Sequence, residues 1–165
     1  AYGFGVAETS VGKALKEFKD DNVIVATKCG VLPEEDGKPK RFISRKTILE
    51  EVDQSLRRLG RDWIDLYQIH WPFPVENLTE AWETLIELKT IGKIRWAGLC
   101  NCWETELDEL QKVSQVTSNQ PMYSMLDRKI EDRVLPWCET NNTGVLVYSP
   151  MHSGILTGKD RKSVV

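Results

Sequence analysis

The chain lacks the features that mark several broad classes of protein. No apolar run approaches the roughly 18 residues that a membrane-spanning helix needs, so no span and no membrane partner are expected. Positive charge is not in excess: 22 Lys and Arg stand against 25 Asp and Glu, for a net charge of −3. The sequence therefore offers no basic face for nucleic acid. Cysteine is sparse. The four thiols, Cys29, Cys100, Cys102 and Cys138, have neither the spacing of a disulfide framework nor the paired Cys-x-x-Cys ligands of a zinc site. Cys100 and Cys102 are separated by a single residue, too tight for a zinc knuckle. No secretory leader is expected from the first residues given. These absences predict reduced thiols in a cytoplasmic protein with no metal centre.

What is present suits one domain, residues 1–165, with a real core: 41% of residues are hydrophobic and 28% charged. Six tryptophans are enough to wall a pocket as well as fill a core. The hydrophobic pattern alternates between two periods. A helix fits residues 8–19, with Val11, Ala14, Leu15 and Phe18 on one face. Val23 to Lys28 reads as a strand, followed by a polar loop around Pro33, Gly37 and Pro39. Ser44 caps a helix carrying Ile48, Val52, Leu56 and Leu59, and Gly60 closes it. A second strand, Ile64 onward, ends at His70, where Pro72 and Pro74 forbid continuation. Trp82, Leu85 and Ile86 mark a helix before Gly92, and Ile94 to Leu99 a third strand. Then come a helix at Leu107, Leu110 and Val113, a short strand over about Asn119 to Met125, a helix at Val134, Leu135 and Cys138, and a last strand from Gly144 to Ser149.

Strict alternation of strand and helix means an α/β fold with a parallel sheet. A doubly wound sheet would carry a Gly-rich phosphate loop after its first strand, and Cys29-Gly30-Val31-Leu32-Pro33 is not one. Gly3-Phe4-Gly5 is no fingerprint either, because no strand is visible before Gly3 and the next glycine is Gly12. The better choice is a barrel of the TIM (β/α)8 type. Such a barrel needs about 250 residues, and five strands are visible here. The expectation is a partial barrel of about five parallel strands, without its first strands and its last.

In such barrels, polar residues at the C-terminal ends of strands form the active site. Lys28 and His70 each end an apolar run. Position alone leaves two readings of Lys28, a group at work in a site or a lysine snorkelling to solvent at the rim. His70 is either a site residue or a satisfied core histidine, and the matching position of Lys28 favours the first. Trp71 follows it and walls a pocket or a core equally well. Tyr2 stands in a Gly-flanked loop. As a proton donor it would benefit from a nearby cation such as Lys28 to lower its pKa; the alternative is a loop tyrosine with no role. Asn101, Gln120 and Tyr148 also lie at or near strand ends. Asn and Gln there suit an amide, and Tyr148 suits stacking on a flat ring.

Several separated motifs resemble the aldo-keto reductases. Tyr2-Gly3-x-Gly5-x-Ala7-Glu8-x-x-Val11-Gly12-Lys13-Ala14-Leu15 is similar to the segment that holds that family's catalytic tyrosine. Val25-Ala26-Thr27-Lys28 is similar to the strand of its lysine. Asp62-x-Ile64-Asp65-Leu66-Tyr67-Gln68-Ile69-His70-Trp71-Pro72 resembles the segment of its histidine. Gly92-Lys93-Ile94-Arg95-x-x-Gly98-Leu99-Cys100-Asn101 resembles the stretch whose Ser-Asn pair holds the nicotinamide carboxamide, with Cys100 in place of the serine. Asn119-Gln120-Pro121-x-Tyr123-Ser124 resembles the segment whose Gln joins that contact. Tyr148-Ser149-Pro150, followed by Gly154-Ile155-Leu156-Thr157-Gly158-Lys159, resembles the strand and loop whose tyrosine stacks on the nicotinamide.

The resemblance implies NADPH-dependent reduction of an aldehyde or ketone to an alcohol, or the reverse. It implies Tyr2 as proton donor, Lys28 as the group that tunes it, and His70 as the group that orients the carbonyl. Cys100, Asn101, Gln120 and Tyr148 would hold NADP(H), and Trp71 would wall the pocket of a small carbonyl or alcohol substrate. A cysteine thiol is a weaker hydrogen-bonding group than a serine hydroxyl. The family's catalytic Asp and its 2′-phosphate grip fall outside these 165 residues, so this chain alone is expected to be incomplete. A non-catalytic NADP(H)-binding sensor or subunit on the same fold is the competing reading. The particular substrate and the oligomeric state are not legible.

Overall fold

The computed structural model describes residues 3–18 and 22–158. Helix α1 (Val6–Phe18) leads to strand β1 (Ala26–Cys29) and a hairpin of β2 (Val31–Pro33) and β3 (Pro39–Arg41). Then follow α2 (Arg45–Leu59), β4 (Ile64–Ile69), α3 (Leu78–Thr90), β5 (Ile94–Cys100), α4 (Glu104–Val113), β6 (Ser118–Gln120), α5 (Val134–Thr140) and β7 (Gly144–Val145). Strands β1, β4, β5, β6 and β7 form one sheet in that order, every pair parallel. The architecture is a partial α/β barrel, as the alternation predicts.

The two-residue period of the strands sorts side chains onto two faces. Tyr67, Ile69, Ala97 and Leu99 point to the helices and join Ile48, Val52, Trp82, Leu85 and Leu107 in one core. Each fully buried Leu or Ile there contributes about 1.5–3 kcal/mol. The other face carries Lys28, Leu66, Gln68, Trp96, Gly98 and Ser118. A Cβ on Gly98 would meet Leu66 and Gln68 side chains at 3.2 and 3.1 Å. Gln68 is buried on that face and donates to the Leu99 carbonyl (3.3 Å) and to Ser118 Oγ (3.4 Å).

At the N-terminal end of the sheet, buried Asp65 gathers three donors. It accepts from the Val25 amide (3.0 Å), Arg61 (3.2 Å) and Arg95 (2.9 Å), joining β1's entry, β4 and β5. Ser44 caps α2 with a reciprocal bond pair to Thr47, and Gly60 closes it at φ 65°.

Four details differ from the sequence expectation. The polar loop after β1 is the β2–β3 hairpin, because Gly37 at φ 78° supplies the left-handed turn residue. The first strand is shorter, starting at Ala26. The strands after residues 118 and 144 are reduced to three and two residues. Finally, α1 does not bury the face of Val11 and Phe18, which are 42% and 71% exposed. It turns Gly12 to α2 instead, where a Cβ would lie 2.9 Å from the Leu59 carbonyl oxygen; only a glycine permits the helices to come so close.

Candidate active site

Parallel strands end together, so the polar residues after β1, β4, β5, β6 and β7 share one rim. Lys28 pairs with Gln68 across β1 and β4, and His70 lies two residues beyond Gln68 on the same face. The His70 amide donates to the Cys29 carbonyl at 3.0 Å, which carries the ladder past the end of β4. Cys100 pairs with Gln120 across β5 and β6.

Burial pushes the His70 pKa down to about 4, and the charges of Lys28 and Arg41 push in the same direction. His70 is therefore a neutral imidazole at about pH 7, with one N–H to give and one lone pair. Burial pushes the Cys100 thiol up to about 12, partly offset by the Lys28 charge. Cys100 thus stays protonated, and its S–H points at Gln120 Oε1 across 3.5 Å.

Asn101 is the joint of the rim. It takes φ 59°, a left-handed conformation that asparagine tolerates better than most residues. From there Nδ2 donates to the His70 carbonyl (3.0 Å), Oδ1 accepts from the Tyr148 hydroxyl (2.8 Å), and its amide donates to the Gln120 carbonyl (3.2 Å). Its side chain thereby ties together the segments that follow β4 and β7, and its backbone adds the end of β6. Burial, then the nearby Asp127 charge, raise the Tyr148 pKa, so it remains a phenol.

Beside this joint lies a cavity of about 220 Å³, lined in part by Trp71, Asn101, Trp103, Met122, Ile130 and Tyr148. Trp71 stacks near the His70 ring at 6.1 Å between centroids. Arg41, at the base of the hairpin, lies over the Trp71 ring with Cζ 3.7 Å from its centroid.

The structure brings Lys28, His70, Trp71, Cys100, Asn101, Gln120 and Tyr148 to one rim. Tyr2 lies outside the described residues. Sequence reasoning passed over Arg41 and the buried Gln68. The Asp36-Gly37 pair between the prolines is the signal that would have revealed the hairpin, and with it the placement of Arg41.

The sequence profile described as the Aldo/keto reductase family matches residues 1–164. The chain belongs to the aldo/keto reductase family. Aldo-keto reductase YhdN of Bacillus subtilis (strain 168) is 42% identical over 160 residues, which are 96% of this chain and 48% of that protein. The NADH-specific methylglyoxal reductase of Escherichia coli (strain K12) is 40% identical over 169 residues, 95% of this chain and 52% of that protein. The solved glycerol dehydrogenase AKR11B4 from Gluconobacter oxydans superposes with a TM-score of 0.91 at 38% identity, covering 99% of this chain and 51% of that one. The chain thus spans about half the length of these aldo/keto reductases. Among the described residues, no helix is long and apolar enough to cross a membrane.

Proposed function

We propose that the whole protein containing these residues reduces a small aldehyde or ketone with NADPH, or catalyses the reverse oxidation. The observation that carries this reading is the convergence of Lys28, neutral His70 and the Asn101–Tyr148 pair at one rim beside a cavity. The residues present fit a nicotinamide. Its carboxamide needs a donor and an acceptor; the Gln120 Nε2 group has no hydrogen-bond partner among the described residues, and Asn101 Oδ1 has a second lone pair. The Tyr148 ring, fixed by its hydroxyl, offers a flat wall. When bound, the cofactor supplies hydride to the carbonyl carbon.

The chain's own residues then handle the oxygen. His70 donates its N–H to the carbonyl oxygen, which aligns and polarises it. Tyr2 gives its phenolic proton to the forming alkoxide, and the Lys28 ammonium favours the phenolate left behind. Solvent returns the proton to Tyr2. Four buried cysteines without a disulfide support a reducing, cytoplasmic setting.

The test is loss of reduced-nicotinamide absorbance with a small aldehyde, using NADPH and NADH in parallel. Turnover is expected, and Tyr2→Phe should lower kcat at least about a hundredfold, the usual worth of a positioned general acid. Cofactor binding with no turnover of any aldehyde would overturn the catalytic reading in favour of a sensor or subunit.

A further inference from the structure

Arg41 is placed too firmly, and too near the site, to be a loose surface charge. It pairs with Val31 at the base of the β2–β3 hairpin, and the next residue, Phe42, donates its amide to the Gly30 carbonyl at 3.2 Å, directly after β1. The backbone is therefore fixed by two strands. The guanidinium lies over the Trp71 ring, its Cζ 3.7 Å from the ring centroid, and Trp71 lines the cavity beside His70. Stacking holds the face of a guanidinium and leaves its edge N–H groups for a planar anion.

Arg41 is exposed and has no carboxylate partner among the described residues. The acids of its own hairpin, Glu34, Glu35 and Asp36, stand at the far tip, beyond the Pro33–Pro39 rung, and Asp36 is paired with Lys38 at 2.7 Å. Asp127, which lines the same cavity, has Lys129 at 3.6 Å. Lys28 adds a second positive charge at the rim, and both cations act on His70. The mouth is thus positive on its Trp71 side, with an edge-on fork waiting for an acceptor.

We propose that Arg41 anchors the substrate, and that this substrate is an aldehyde or ketone carrying an anionic group, carboxylate or phosphate. This rests on the carbonyl-reducing reading above. The anion would bind the Arg41 fork edge-on, with Trp71 beneath the guanidinium, while the carbonyl reaches His70. Charge-assisted, two-point hydrogen bonding of this kind is the stronger and more directional class.

The experiment compares aldehydes that differ in their charged end: butanal against 4-oxobutanoate, and glyceraldehyde against glyceraldehyde 3-phosphate. It is run on the whole protein containing these residues, as wild type, Arg41→Gln and Arg41→Lys. The wild type should favour one or both anionic members, and Arg41→Gln should cut the charged-to-neutral ratio of kcat/KM at least about tenfold, chiefly through KM. Arg41→Lys should retain part of the preference, since charge survives but the fork does not. A preference confined to the carboxylate or to the phosphate pair identifies which anion is meant. An unchanged ratio, including equal loss on charged and neutral aldehydes, overturns the anchor and leaves Arg41 as a prop for Trp71. A second readout separates this proposal from the activity itself: quenching of tryptophan fluorescence by 4-hydroxybutanoate and by glycerol 3-phosphate, with 1-butanol and glycerol as neutral controls. Saturable anion quenching lost in Arg41→Gln supports the anchor even where no aldehyde is turned over. Quenching that is absent, or indifferent to Arg41, overturns it.

Discussion

At the scale of single residues, the proposed chemistry turns on keeping His70 neutral. Its pKa is lowered from the ordinary 6.5 to about 4, first by burial and then by Lys28 and Arg41. Because the folded value lies below the unfolded one, the neutral form is the one that folding favours. The stability tied to it is present above about pH 6.5 and is lost as the pH falls toward 4. The chain has two histidines, so the assignment is tractable by NMR. The His70 ring carbons should show no titration between about pH 5.5 and 8, and Arg41→Gln together with Lys28→Met should move the midpoint upward. A His70 midpoint near 6.5 in the wild type would show that neither burial nor the two cations govern it. His70 and Lys28 were legible in the sequence because each ends an apolar run, a purely one-dimensional signal. The role of Asn101 as a joint was not, because it depends on a left-handed φ that brings two distant chain segments within reach of its side-chain amide and a third within reach of its backbone N–H. Arg41 was hidden for the same reason: its partner Trp71 is brought to it by a hairpin and a sheet, not by spacing.

At the scale of elements, two carboxylates tie segments together in opposite ways. Asp65 satisfies both of its oxygens with Arg61, Arg95 and the Val25 amide. Replacing it by alanine leaves the Val25 amide without its acceptor and removes one of the two acceptors of Arg61, while Arg95, half exposed, turns to water, and should cost about 1–3 kcal/mol in urea unfolding. Glu51 of α2 receives the Gly30 amide at 2.9 Å on one oxygen, which holds the turn between β1 and the hairpin. Its other oxygen is buried with no hydrogen-bond partner among the described residues. Burial raises its pKa from 4.5 to about 7. Here the folded value lies above the unfolded one, so the contribution is full below about pH 4.5 and is lost as the pH rises through 7. Wild type should therefore lose about 2 kcal/mol more than Glu51→Gln between pH 5 and pH 8, since glutamine keeps an acceptor for Gly30 and cannot ionise. Parallel urea titrations at the two pH values check this; identical pH slopes would remove Glu51 from the account. The order of sheet strands was legible from the alternation of apolar periods, because parallel strands need helical crossovers. The packing of α1 was not, because Gly12 has no side chain to register in a hydrophobic pattern, yet the absence of one is what lets α1 meet α2.

At the scale of the whole molecule, the described residues leave part of the sheet face away from the helices uncovered. Trp96 is 41% exposed there. Leu146 and Val147, just past β7, are 43% and 42% exposed. The sheet order places β1 and β7 at its two edges, with no further strand beside either among the described residues. Related aldo/keto reductases are about twice as long as this stretch. An open parallel sheet with an apolar face is a template for further pairing. The 165-residue polypeptide prepared by itself should therefore bind a hydrophobic dye such as ANS and elute as larger species as its concentration rises. Trp96→Lys should lower dye binding and shift the equilibrium toward monomer, because it puts charge in the middle of the uncovered face. Light scattering coupled to size exclusion is the measurement. A sharp monomer peak at every concentration, with no dye binding, would show that the exposed face is stable in water and that the edges are protected by the short strands alone.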